Sequence, residues 1–110
     1  MAFKPYHNIS GSDGVEVELL APGDGANDVK SILIANTHTA IITVSLFIQN
    51  NPSAAVAPST FYMLKNVAIA DGTSLLLDSN DMLSFDNSTN GFGLYIQVGS
   101  SDIADVFITR

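Results

Sequence analysis

Val15, Val17 and Leu19 alternate with Glu16 and Glu18, the two-residue period of a strand with one face in water. Further apolar segments recur at residues 31–35, 40–49, 60–69, 74–77, 82–85, 92–98 and 103–109, each of strand length. Turn chemistry separates them: Pro22-Gly23-Asp24-Gly25, Asn36-Thr37-His38-Thr39, Asn50-Asn51-Pro52-Ser53, Asp71-Gly72, Asp78-Ser79-Asn80-Asp81, the Asp86 to Gly91 stretch, and Gly99-Ser100-Ser101-Asp102. Because no amphipathic helical period intervenes, this spacing predicts an antiparallel sandwich or barrel of about eight strands.

The alternation assigns a core. Ile42, Val44, Leu46 and Ile48 share one face of their strand, Phe92, Leu94, Ile96 and Val98 one face of theirs, and Ala104, Val106 and Ile108 a third. Together with Val17, Leu19, Ile32 and Ile34 they predict the interior. The opposite faces are not properly polar. Ile41 and Phe47 flank Thr43 and Ser45, and Tyr95 and Phe107 repeat the anomaly on their strands. A second apolar face on a two-layer fold needs a neighbour to cover it, so Ile41, Phe47, Tyr95 and Phe107 are the expected anchors of a homo-oligomer, a trimer or a dimer.

Composition sharpens this picture. With 110 residues the chain is the size of a single domain, 1–110, whose first 13 residues are expected to form a loose arm. Charged residues are 14% of the chain and hydrophobic ones 46%, which excludes disorder and leaves too little charge to cover the surface of a small sphere. Nine of the eleven acids are Asp; only Glu16 and Glu18 are Glu. Asp suits turns where Glu suits helices, so the vocabulary of the acids agrees with an all-β chain. A net charge of -7 repels phosphate, which argues against nucleic acid and anionic membranes as partners. No apolar run resembles a signal peptide or a span, so synthesis in a cytoplasm is expected.

Candidate chemistry is thin. The chain has no Cys, hence no disulfide, thiolate or sulfur-ligated zinc. His7 and His38 do not form a metal-ligand motif, and the acidic clusters at 78–81, 86–87 and 24–28 lack an EF-hand pattern and read as turn starters. No metal or cofactor is expected. There is no Gly-x-Ser-x-Gly elbow and no phosphate-cradling glycine loop; Gly91-Phe92-Gly93 reads as a close-packed or bulged strand, and no enzymatic activity is expected. Asn8-Ile9-Ser10 and Asn87-Ser88-Thr89 match the N-glycosylation triplet, but without a secretory route no glycan is expected.

One longer pattern is present. Ile34-Ala35-Asn36 closes a strand, Thr43-Val44-Ser45-Leu46-Phe47-Ile48 follows, then Tyr62 and Leu64-Lys65-Asn66-Val67-Ala68-Ile69, the Asp71-Gly72 turn into Leu75-Leu76-Leu77, Met82-Leu83-Ser84-Phe85, and a last alternating strand from Ile103 to Ile108. Over most of the chain this resembles small β-rich virion structural proteins of tailed, marine cyanophage-like bacteriophages. The resemblance implies a jelly-roll-like β-sandwich in a virion, self-assembled and docked to other virion proteins as capsid decoration, neck or tail component. It carries over no catalytic or binding residue. The chain departs from the pattern at Ala70-Asp71-Gly72 and in a longer 51–58 segment, and loops are where partners differ. The alternative is a surface-adhesion or carbohydrate-binding module with Tyr6, Tyr62 and Tyr95 as stacking platforms; the absence of Trp weighs against it.

Overall fold

The computed structural model describes residues 5–10, 16–24, 29–50, 59–78, 83, 85–88, 91–99 and 102–109. Eight strands follow in order: β1 (Tyr6–Ser10), β2 (Val17–Leu20), β3 (Ser31–Asn36), β4 (Ile42–Asn50), β5 (Ser59–Ile69), β6 (Ser74–Leu77), β7 (Gly93–Val98) and β8 (Ile103–Thr109). They form two antiparallel four-stranded sheets, β1-β8-β3-β6 and β2-β7-β4-β5, here called sheets A and B. The protein is an all-β sandwich with jelly-roll connectivity.

The order has a simple origin. β1 pairs with β8, β2 with β7, β3 with β6 and β4 with β5, so the chain is one long hairpin whose rungs fall alternately in sheet A and sheet B. Folding that hairpin over on itself brings β8 beside β3 and β7 beside β4, which completes both sheets. Each rung then contributes one inner face. Ile32, Ile34, Val106 and Ile108 from sheet A meet Ile42, Val44, Leu46, Leu94, Ile96 and Val98 from sheet B, all buried. The residues assigned to the core from the alternation lie there with three exceptions: Val17 and Ile48 are half-buried against it, and Phe92, assigned to the interior, is half-buried outside the cluster with its ring 5.8 Å from that of Phe61.

Two expectations are corrected. Residues 6–10 are not part of a loose arm: they form β1, paired in register with β8 from Tyr6↔Phe107 to Ser10↔Ile103, with Ile9 buried. Only Ile9 of this strand is a buried aliphatic, too little for an alternation to be read, yet backbone pairing to β8 holds it. At 82–85 the described residues form no strand. Leu83 is fully buried in the core and Phe85 half-buried against it, and neither joins a sheet.

Polar side chains fasten the ends. Asn36, buried at the end of β3, donates from Nδ2 to the carbonyls of Ala40 and Ile69 and accepts at Oδ1 from the His38 amide. Asn87 is fully buried and donates to the carbonyls of Ala21 and Phe92, while its own carbonyl accepts from Gly23 N–H. Gly93 is needed where β7 begins, because a Cβ there would stand 2.8 Å from the Leu20 carbonyl oxygen.

Candidate functional site

The four residues expected to anchor an interface do not meet on one surface. On the outer face of sheet B, Phe47 of β4 is flanked by Tyr95 of β7 and Tyr62 of β5, with Glu18 of β2 beyond Tyr95. The Phe47 ring lies 5.8 Å from that of Tyr95, nearly parallel, and 5.1 Å from that of Tyr62. With both rings against it, Phe47 is fully buried within its own chain. Tyr95 donates from its hydroxyl to Glu18 Oε2 at 3.1 Å, and Lys65 Nζ sits 4.7 Å over the Tyr62 ring. Burial first, then the hydrogen bond to Glu18 and the charges of Glu18 and Glu16, push the Tyr95 pKa above the usual phenol value.

Phe107 lies on the other side of the sandwich, on the outer face of sheet A. There the register sets Tyr6, Phe107, Leu33 and Leu76 side by side across β1, β8, β3 and β6, a continuous apolar row spanning the whole sheet. Tyr6 is 65% exposed, Leu76 54% and Phe107 40%, with the Tyr6 and Phe107 rings edge to face at 5.6 Å. The next row reads Asn8, Asp105, Ala35 and Ser74, and Ile103 lies beyond it on β8. Asp105 is the only charged residue these strands point outward on this face, and its Oδ1 accepts from Asn8 Nδ2 at 2.8 Å. Ile41 stands exposed just ahead of β4. The alternation gave Phe107 as an outward residue; only cross-strand register joins Tyr6, Leu33 and Leu76 to it, and that register cannot be read along the chain.

Sheet B guards its edge where sheet A leaves its face open. β5 is an edge strand of 11 residues, and its register against β4 is broken twice. Asn66 takes a left-handed backbone (φ 54°), which an Asn tolerates better than most residues, and its amide donates to Ser45 Oγ. The bulges twist the edge and Lys65 adds a charge, both devices that discourage another strand from adding on.

The remaining candidates resolve into structure. His38 Nε2 stands 3.9 Å from Asp102 Oδ1, but Asp102 Oδ2 is taken by the Thr43 amide, so the pair ties the β3–β4 turn to the start of β8. His7 is in β1, on the other sheet from β4. Among the described residues no three His, Cys, Asp or Glu gather as a metal would require. Asp86 accepts the Ser88 amide at Oδ1 in an Asx turn, and hydrogen bonding from the Ser88 side chain first and from its amide second holds the carboxyl below the ordinary value. Ser79, Asn80 and Asp81, and residues 25–28, lie outside the described residues. The Asn87 amide nitrogen, the atom a glycan would occupy, is buried and bonded to two carbonyls. Comparison with known proteins found no matching family model, no matching curated protein and no matching solved structure.

Proposed function

We propose that this protein is a non-enzymatic structural component of a bacteriophage particle, such as a capsid decoration, neck or tail protein, acting by self-assembly and by docking to the particle. The observation that carries the reading is the apolar row Tyr6–Phe107–Leu33–Leu76, which the chain builds across an entire sheet and leaves uncovered. An exposed apolar band of that extent on a small domain marks a contact with another protein. The jelly roll is an architecture used by capsid proteins as well as by lectins and cupins, so it is compatible with this function without implying it. A net charge of -7 keeps such a protein off the packaged genome while it is made in the host cytoplasm and joins the virion. Mass spectrometry of gradient-purified particles is the test. The protein should co-purify with the capsid in fixed stoichiometry, and its absence from washed particles would overturn the reading.

A second reading, a carbohydrate-binding or adhesion module, is favoured by one observation: Tyr62 and Tyr95 lie on one face with Glu18 and Lys65 beside them. Phe47, however, occupies the space between the rings, and Lys65 lies over one of them. Glycan-array binding that disappears in Tyr62→Ala would favour this reading.

A further inference from the structure

We propose that the outer face of sheet A is a homodimer interface in which a second copy packs face to face, related by a two-fold axis that runs parallel to the strands between β8 and β3. The proposal rests on the self-assembly part of the reading above and names the partner. Three observations select a second copy.

The first is charge. A chain carrying -7 repels its own copies everywhere except where its acids are absent. On this face, among the residues of its four strands, the only outward acid is Asp105, bonded by Asn8. By contrast, the β2 edge of sheet B presents Glu18, and β5 is bulged and carries Lys65.

The second is self-complementarity. Rotation about an axis along the strands reverses the strand order and keeps each row on itself, so β1 faces β6 and β8 faces β3 of the second copy. Tyr6 then opposes Leu76 and Phe107 opposes Leu33, a large ring against a smaller side chain at each of four positions. In the next row Asp105 opposes Ala35 and Asn8 opposes Ser74, so no acid meets an acid. An isologous contact of this kind closes at two copies and leaves no open end.

The third is area. Four strands about 4.8 Å apart and about six residues long make a face of roughly 20 by 20 Å. Two such faces in contact bury on the order of 1,000 Å², the lower limit for a specific interface, so the dimer should be concentration-dependent.

The arrangement is tested by charge complementation followed by sedimentation equilibrium. The parent protein should dimerise at tens of micromolar. Leu33→Lys and Phe107→Asp each place two unpaired charges in the homodimer and should weaken association by at least about tenfold. Mixed in equal amounts, they should recover a dimer, because one Lys then faces one Asp while the other Phe107 still faces Leu33. Circular dichroism and melting confirm that each variant is folded; if either is not, Leu76→Lys with Tyr6→Asp makes the same test at positions 54% and 65% exposed. A parent that stays monomeric at several hundred micromolar (about ten times the expected range), dimers untouched by the single variants, or a mixture that does not recover would each overturn the proposal. Such a result leaves co-purification with particles standing, since the row would then dock on a different virion protein.

Discussion

Asn87 ties the stretch at 21–23 to the start of β7: its Nδ2 donates to the carbonyls of Ala21 and Phe92, and its backbone oxygen accepts from Gly23 N–H. Asn87→Ala removes the two side-chain bonds and strands buried acceptors, so unfolding by urea should show a loss of about 2 to 4 kcal/mol with an unchanged m-value. Asn36 plays the same part at the end of β3. In the sequence both look like ordinary turn residues, because what they bind is up to 66 positions away and local pattern carries no trace of it. Tyr95 gives a second expectation at this scale. Folding favours its neutral phenol, so that contribution is complete below the unfolded value of about 10 and declines as pH rises through the raised folded value. In an ultraviolet titration read as the difference from Tyr95→Phe, Tyr95 should therefore ionise above the ordinary phenol value, and Glu18→Gln should bring its midpoint down without restoring it fully, since burial remains the largest cause. A midpoint that does not move in Glu18→Gln would refute the contact.

The strands that alternate strongly were legible because each buries one face against the opposite sheet. Residues 74–77 and 103–109 match β6 and β8 end to end. β1 was not legible: it carries one buried aliphatic, Ile9, and is held by its pairing with a strand nearly a hundred residues later. The segment at 82–85 misleads in the opposite sense, since Leu83 is as apolar and as buried as any strand residue but has no ladder partner. Deleting residues 1–10 should open the β8 edge and uncover the core beside Ile9. The expected result is a melting temperature at least about 10 °C lower and a tendency to aggregate, measured by differential scanning calorimetry and light scattering. A truncated chain that melts like the parent would show that β1 contributes pairing without stability.

At the scale of the whole molecule, the sequence told of a charge deficit and of two outer faces too apolar for water, but not of their difference. Phe47 and Phe107 look alike along the chain, each an aromatic between two core aliphatics with polar residues two positions to either side. Only the fold shows that Phe47 is roofed by Tyr62 and Tyr95 while Phe107 belongs to an open row. Strand order was likewise hidden, because alternation says which way a side chain points and nothing of which strand lies beside it. The folded-over hairpin also means that β1 and β8 are neighbours, with Tyr6 beside Phe107, whereas the connection from Asn50 to Ser59 is the hairpin's far tip. Chain order along this loop is therefore close to arbitrary. A circular permutant with a short glycine linker from residue 110 to residue 1 and new ends between Asn50 and Ser59 should keep the parent's circular-dichroism spectrum and unfold in one transition, and a molten spectrum would refute this. A foreign peptide spliced between Asn50 and Ser59 would interrupt neither sheet, since these residues end one strand and begin the next, and that makes the sandwich a display scaffold.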